Sequence, residues 1–508
     1  MAELTIILRT HHFVCRRISA RARVAVESFA RKNVQYRMVK QGYRFVRMPV
    51  KVFAAATEDR AEFRFHINQV QEFKEHLKND SLGDAQVEWV TEPMFSIIPV
   101  TLPVFPQWTT REEQVPAVEY LANPGVPRLK LLALQTGAGK SYITLRVISD
   151  KGVLTIIIVK PGYIEKWLID IQKTYDIAVE DVIVVRGSKD LMGLLELGLD
   201  TDAKMIMMSN RTLLNWIKLY EKFGRATMDD LGYACLPDEM FKHLGAGGRL
   251  IDEVHQDFHF NFKMDLYTHC EYSYSLSATL IADDPFLNRM YEMAYPTALQ
   301  FKGAAYKKYI ASKAVFYKLK HPDRARYREP STKNYSHNYY EQYLLKSESL
   351  KKGYLELIDR CIRGTYIRNF KPGDRLVIFC ASISFCTVLT EYLKKIYHNL
   401  DVRRYVEDDP YENLMEADIR VTTLLSAGTA VDIPNLTTTI LTVAVSSSQS
   451  NIQGFGRLRE LPDKTRTPIF VYFVCEDIQK QVDYHEKKRA LLQDRALSYE
   501  GIFIREPI

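Results

Sequence analysis

The stretch Gly137-Ala138-Gly139-Lys140-Ser141, with Thr136 before it, has the residue types and spacing to hold phosphate. Glycines let backbone N–H groups converge on phosphate oxygens, and a helix opening there adds the positive end of its dipole. Lys140 would reach the β- and γ-phosphates, and Ser141 would bind Mg²⁺. The full G-x-x-x-x-G-K-S pattern fails at its first position, where Leu134 stands, so on its own the stretch is also compatible with an incidental Gly-rich turn. Further on, Asp252-Glu253-Val254-His255 sets two carboxylates side by side. Asp252 would hold Mg²⁺ through water, and Glu253 would polarise an attacking water. Later still comes Gln453-Gly454-Phe455-Gly456-Arg457-Leu458-Arg459-Glu460. An arginine supplied across a cleft to a γ-phosphate accelerates its hydrolysis, and Arg457 and Arg459 are the candidate sources. Upstream of the glycines, Gln114 carries an amide able to face adenine from both sides.

These residues need elements to place them. The apolar run Leu129–Leu134 reads as a buried strand, and an apolar-periodic helix follows Ser141. From 129 to about 280, strands are expected at Leu129–Leu134, Leu154–Val159, Asp181–Val185, Lys204–Met208, Arg249–Ile251 and Tyr272–Leu276. Their alternation with helices predicts a parallel sheet covered on both faces, with ligands at the carboxyl ends of the strands. Asp252 and Glu253 follow such an end, and so does Ser277-Ala278-Thr279. Alternation resumes near 371, at Arg375–Cys380, Val402–Val406, Ile419–Thr423, Thr438–Val443 and Pro468–Val474, which predicts a second parallel domain with no phosphate loop of its own. Residues 1–100 predict a small mixed α/β domain, closed by a linker marked by Pro93, Pro99, Pro103 and Pro106. The expected division is therefore 1–100, 101–285, a basic Tyr-rich connector at 286–370, and 371–508.

Composition narrows the class. The chain has 508 residues, 46% apolar and 26% charged, as in soluble globular proteins. No apolar run approaches the roughly 20 residues of a membrane span, and the N-terminus lacks a signal-peptide layout. Seven scattered cysteines without a C-x-x-C pair argue for reduced thiols in a cytosol-like compartment and against zinc.

Charge is unevenly placed. The net charge is +7, yet residues 1–50 hold 11 Lys/Arg against Glu3 and Glu27, a local +9. Ten more Lys/Arg, interleaved with tyrosines, fall in Lys302–Lys333. Both regions predict contact with a polyanion such as nucleic acid, against the alternative of solvated basic surface.

Taken together and in order, these elements resemble the superfamily 2 helicases and translocases, over about residues 108 to 495. Members commonly lack the first glycine of the phosphate loop, so Leu134 fits. The other matching elements are Arg111-x-x-Gln114, Val159-Lys160-Pro161 with Lys166-Trp167 behind it, Ser209-Asn210-Arg211, Asp252–His255, Ser277–Thr279, Ile378–Ser382, Thr423 through Gly428 to Pro434, and Gln453-x-x-Gly456-Arg457. The resemblance implies two RecA-like domains that use ATP and Mg²⁺. Gln114, Thr136–Ser141, Gly428 and Asp432 would bind nucleotide, and His255 and Gln453 would couple hydrolysis to movement. Lys160, Pro161, Asn210, Arg211, Ser382, Thr422 and Thr423 would contact nucleic acid. Gly428-x-x-x-Asp432-Ile433-Pro434-Asn435 and Tyr484-His485-x3-Arg489 resemble the phage UvsW-like branch-migration DNA helicases. That finer likeness implies a monomer acting on forked or four-way DNA without sequence preference, with RNA unwinding, duplex translocation and a non-catalytic binding module as alternatives. One departure is visible: the family usually has a second arginine where Glu460 stands, with Arg459 one place earlier.

Overall fold

The computed structural model describes the chain apart from residues 1, 42–43, 81, 84, 125–127, 136, 279, 281–283, 304–306, 408, 425 and 427–432, and apart from the side chains of 40, 41, 449 and 453. Two compact units divide it, Met1–Leu280 with Asp284–Gly303, and Ala304–Ile508. Thr136, Thr279, Gly428, Asp432 and the Gln453 side chain lie outside the described residues.

The first unit opens with a small mixed sheet. Its strands are β1 (Leu4–Leu8), β2 (His12–Arg16), β5 (Ala55–Ala56), β6 (Phe63–His66) and β7 (Val87–Thr91), in the order β5-β6-β2-β1-β7. Between β2 and β5 come the helix Ala20–Lys32 and a separate two-stranded ribbon, β3 (Val34–Gln41) paired antiparallel with β4 (Arg44–Val52). The helices Ala20–Lys32 and Val70–Asn79 bring Phe29 and Phe73 against Phe13 and Phe65, with ring centroids 4.9–5.5 Å apart.

The same unit continues into a seven-stranded sheet. Its strands are β8 (Leu129–Ala133), β9 (Thr155–Val159), β10 (Val182–Val185), β11 (Met205–Ser209), β12 (Gly248–Ile251), β13 (Tyr272–Ser277) and β14 (Gln300–Lys302). They lie in the order β10-β11-β9-β12-β13-β8-β14, and every pairing is parallel. Helices on both faces explain why β9, Thr-Ile-Ile-Ile-Val, is buried along its whole length. Burying each of Ile156, Ile157 and Ile158 contributes about 1.5–3 kcal/mol. In β13 the alternation places Tyr272, Tyr274 and Leu276 on one face and Ser273, Ser275 and Ser277 on the other. Those three serines are fully buried and each is partnered, by Arg249, Tyr295 and His255.

The second unit holds β15 (Ala311–Tyr317), β16 (Arg375–Cys380), β17 (Val402–Tyr405), β18 (Ile419–Thr423), β19 (Leu436–Leu441), β20 (Ile469–Cys475) and β21 (Ser498–Phe503). The order is β17-β18-β16-β19-β20-β15-β21, again all parallel. Two RecA-like parallel domains behind a mixed α/β domain are thus the architecture. The stretch 286–370, expected as a connector, is shared out instead. β14 completes the first sheet, while β15 sits between β20 and β21 in the second. Alternating Ser312, Lys313 and Ala314 hid β15 among basic residues, although its Val315 and Tyr317 are buried.

The mixed sheet is fastened to the parallel one by buried charge. Asp238 accepts from Arg9 Nη1 at 2.8 Å and from Arg64 Nη2 at 3.0 Å, with both side chains of the Arg64–Asp238 pair 2% exposed. Burial alone would raise the Asp238 carboxyl, but the Arg64 and Arg9 guanidiniums override it and hold the group well below the carboxylate range. A second buried pair, Arg249–Asp265 at 2.5 Å, faces His66 of β6, whose Nε2 lies 3.8 Å from Asp265. His11 and His12 lie in the same seam, where His12 meets the Thr268 carbonyl at 3.1 Å. Among the described residues no helix is long and apolar enough to cross a membrane.

The seam makes the first unit acid-sensitive. Burial lowers His11 and His12 well below their ordinary value, helped by cations such as Arg249 for His11 and Arg9 for His12. Burial also takes His66 down to about 4, with Asp265 opposing the shift and Arg249 adding to it. Their folded values lie below the unfolded 6.5, so the unfolded chain binds more protons as pH falls through 6.5, and stability is lost in that direction. Each histidine still neutral at pH 5 then costs roughly 2 kcal/mol relative to pH 7. Thermal melts at pH 7.5 and pH 5 should show the first unit melting several degrees earlier in acid, with part of the loss recovered in His66→Gln.

Candidate nucleotide site

β8 ends at Ala133, and the chain turns through Gly137 (φ 88°) and Gly139 (φ 83°) into the helix Lys140–Lys151, which Gly139 caps. Both glycines occupy the left-handed region that disfavours side chains. A Cβ on Gly139 would also collide with the Gln114 amide. That amide is held at both ends: its oxygen accepts from the Arg111 backbone N–H at 3.1 Å, and its nitrogen donates to the Ala138 carbonyl at 3.2 Å. Gln114 is therefore a clasp on the Gly137–Gly139 loop. Lys140 Nζ donates to the Leu134 carbonyl at 3.0 Å.

Across from the loop, β12 delivers the acidic pair. Asp252 accepts from the indole Nε1 of Trp167 at 2.8 Å and from the Glu253 backbone N–H at 2.9 Å. Glu253 itself has φ 48°, unusual for a residue with a side chain. His255 Nδ1 is 2.7 Å from Ser277 Oγ and 3.3 Å from Glu253 Oε2. Burial, then the nearby charges of Lys140 and Lys160, depress His255 to about 3, so at neutral pH it is an uncharged hydrogen-bonding link. Asp170, one turn beyond Trp167 on the helix Ile164–Thr174, lies near Ser141, Lys166 and Asp252; burial raises its carboxyl, with Asp252 adding to the effect and Lys166 and Ser141 opposing it.

Lys140, Ser141, Asp252, Glu253 and His255 are thus brought together. Trp167 and Asp170 are the members sequence reasoning missed. Lys166-Trp167 reads in sequence as part of a strand-tracking element, but the indole is fully buried and faces Asp252. The only available signal was the i, i+3 spacing of Trp167 and Asp170, and it names no partner. A second unforeseen feature is the Trp108–Tyr142 ring pair, 6.0 Å apart, beside the Gln114 clasp. A hydroxyl and carboxylates are hard oxygen donors, and they fit a cation such as Mg²⁺ that shares its shell with phosphates and water. Among the described residues no cluster of three or more His, Cys, Asp or Glu forms an all-protein cage.

The other expected residues are placed as follows. Lys160 pairs with Asp257 at 2.9 Å, and Pro161 opens an exposed turn after β9. Asn210 is buried at the start of the helix Asn210–Asp230, with Arg211 exposed beside it. In the second unit, Ser382 caps the helix Ile383–Ile396 and donates to Glu341 Oε2 at 2.6 Å. Burial lifts Glu341 to about 7 even though the Ala381 and Ser382 backbone N–H groups and the Ser382 hydroxyl favour its charged form. Thr422 is fully buried in β18, while Thr423 Oγ1 reaches Ser426 Oγ at 2.8 Å at the strand's carboxyl end. Gln453 lies on the helix Ser448–Phe455. Arg457 is buried just past that helix, and Arg459 donates to the Gly456 carbonyl. Glu460, where an arginine was the family expectation, pairs with Lys307 at 2.6 Å and Lys464 at 3.0 Å.

The chain matches no known family profile and no curated protein sequence. Solved structures share its fold at low identity. Dbp5 of S. cerevisiae bound to RNA and ADP BeF3 is 13% identical with a TM-score of 0.50, covering 77% of this chain and 89% of that one. Mss116p bound to ssRNA and AMP-PNP is 12% identical with a TM-score of 0.51, covering 80% of this chain and 75% of that one. T4 UvsW overlays at a TM-score of only 0.33 and 13% identity, over 99% of this chain and 100% of that one. The likenesses to Dbp5 and Mss116p establish the fold alone.

For a site that hydrolyses a nucleoside triphosphate, the Trp167–Asp252 bond yields a specific expectation. Trp167→Phe keeps the ring and removes the donor, so Asp252 loses its orientation. Losses of such supporting contacts at metal sites cost about 10–100-fold. Steady-state turnover should fall by that factor, with nucleotide affinity changed much less and the melting temperature nearly intact.

Proposed function

We propose that this chain is an ATP-driven superfamily 2 nucleic-acid motor that remodels branched DNA, by unwinding forks or migrating four-way junctions. The observation that carries the motor reading is the meeting of Lys140 and Ser141 with Asp252, Glu253 and His255 at one edge of a parallel sheet. In this reading Lys140 and the loop amides bind the phosphates, and Ser141 and Asp252 hold Mg²⁺. The ion supplies charge neutralisation on the β- and γ-phosphates. Glu253 orients the attacking water. Neutral His255 ties Glu253 to Ser277 at the end of β13, a path by which the nucleotide state reaches the next loop. Arg457 and Arg459 are the candidates for the arginine that meets the γ-phosphate.

DNA as substrate, and branched DNA in particular, rests on the likeness of Gly428–Asn435 and Tyr484–Arg489 to the branch-migration helicases, and on the basic N-terminal region. An RNA substrate is the second reading, favoured by the RNA in the Dbp5 and Mss116p structures. ATP turnover should be measured with single-stranded, duplex, forked and four-way DNA and with RNA, at two salt concentrations. The proposal expects the largest stimulation from branched DNA, weakening as salt rises. Strongest stimulation by RNA would replace the substrate, and turnover absent throughout would leave only a nucleic-acid-binding module. Glu253→Gln should bind ATP normally and lose at least about 100-fold in turnover; native-like turnover in that variant would remove Glu253 from the mechanism.

A further inference from the structure

The ribbon β3–β4 is the most unusual surface of the molecule. Across Val34–Val52 the sequence carries five Lys/Arg and no acidic residue. Among the described residues the two strands pair only with each other, in a sheet of their own. An isolated two-stranded ribbon is marginal in water and ordinarily hides one face. Here neither face is hidden. On one, Met38 is 57% and Phe45 66% exposed, while on the other Val46 and Met48 are each 39% exposed. Arginines alternate among them, and the Arg47 guanidinium already lies 4.1 Å over the Tyr36 ring. No core explains these apolar residues, and no acidic neighbour in the ribbon explains the charge.

The root of the ribbon, by contrast, is packed and hydrogen-bonded. Phe53 is fully buried against Phe258, Phe262 and Phe286, at centroid distances of 5.7, 5.0 and 5.8 Å. The backbone of Val52 is bonded to His259 Nε2 at 3.1 Å through its N–H. Gln35 donates to Asp284. His259 belongs to the helix Phe258–Asp265, which follows directly on Asp252–His255. The ribbon thus stands on the segment that leaves the acidic pair.

We infer that the β3–β4 ribbon is a wedge that engages the branch point of a nucleic-acid duplex, with its arginines on the flanking phosphates and Phe45 and Met38 against the exposed terminal bases. Phosphates supply the charge that the ribbon lacks, and apolar side chains that unstack bases are the usual partners of an opened duplex end. An all-phosphate surface would need no Phe45, and an apolar protein partner would need no five cations. The inference rests on the motor reading above and specifies where that motor meets the branch.

The test uses the full chain and two surface double variants, Met38→Ser with Phe45→Ser and Arg44→Ser with Arg47→Ser, together with the conservative Phe45→Tyr. Forked DNA, forked RNA and single strands are the probes. The apolar variant should separate forked strands at least tenfold more slowly while keeping ATP turnover on single strands within twofold of native. Phe45→Tyr should restore strand separation. The charge variant should bind forks more weakly at moderate salt, with the log–log salt slope reduced by about 2, one for each lost phosphate contact. Strand separation and fork binding within twofold of native in both double variants would overturn the wedge while leaving the motor standing. Absence of nucleic-acid-stimulated turnover in the native protein would instead fail the motor. The wedge would then be judged by fork binding alone, and undiminished binding in the charge variant would reject it.

Discussion

Parallel register is the constraint on which the site depends. Ala133 of β8 is level with Ser277 of β13, Ile251 of β12 with Ile158 of β9, and Val159 of β9 with Ser209 of β11. All five strands therefore release their chains at one edge. The Gly137–Gly139 loop, Lys160, Asn210, Asp252 and Ser277 emerge together although the sequence spreads them over more than a hundred residues. A slip of one residue in any strand would turn its side chains to the opposite face and misplace the loop that follows. The hydrophobic runs that fix this register therefore have a function as well as a stabilising role.

The mixed domain is joined to the parallel sheet, at residues that precede or open β12 and β13, by a device whose energetics differ from those of the core. Arg9, Arg64 and Asp238 are nearly all buried, so each has lost its water. Their attraction largely offsets this desolvation, and the net gain is small compared with the cost of breaking the set, about 3–5 kcal/mol when one partner is removed. Such a joint adds little adhesion but tolerates only one geometry, because a displaced Asp238 would leave two buried guanidiniums with Glu92 and Glu62 as their remaining carboxylate partners, each half its pairing. Arg249 and Asp265 repeat the arrangement next to His66. Two interlocked charge sets fix the orientation of a small domain more sharply than apolar contact of the same size, since apolar surfaces can slide.

Much of the candidate site's placement was legible from sequence because its signals are local. Gly137, Gly139, Lys140 and Ser141 fall between a strand and a helix within a dozen residues, and Asp252-Glu253 follows an apolar strand directly. The second parallel domain was legible through Arg375–Cys380 and Ile419–Thr423 for the same reason. What stayed hidden depends on partners far away in the chain. Trp167 acquires its role from Asp252, 85 residues on. Gln114 clasps Ala138, 24 residues on. β15 and β21 pair in register only after about 180 intervening residues have folded, and β15 itself is a short, lysine-bearing strand among other basic residues. β3 of the ribbon stayed hidden as well: Val34–Met38 alternates apolar and polar residues, but Val39 breaks the alternation and the basic residues made the stretch read as charged surface.

The strain at Glu253 connects these themes. A left-handed conformation at a residue with a side chain costs on the order of 1–3 kcal/mol and persists only where neighbours over-determine it. Here they do. The Glu253 N–H is held by the Asp252 carboxylate at 2.9 Å, and its carbonyl accepts from the Gln256 N–H at 2.8 Å. Val254 is fully buried, and its N–H is bound to the Leu276 carbonyl of β13 at 2.9 Å. Asp252 is in turn oriented by Trp167, and the Glu253 carboxylate by a histidine that burial keeps neutral. In the proposed hydrolysis, a charged His255 would draw that carboxylate into a tight ion pair and blunt it as a hydrogen-bond acceptor for water. A neutral one steers it at little cost to its basicity. Burial of His255 beside Lys140 and Lys160 is therefore a chemical setting of the site as well as a packing outcome, and the strained turn at Glu253 holds the carboxylate where that setting applies.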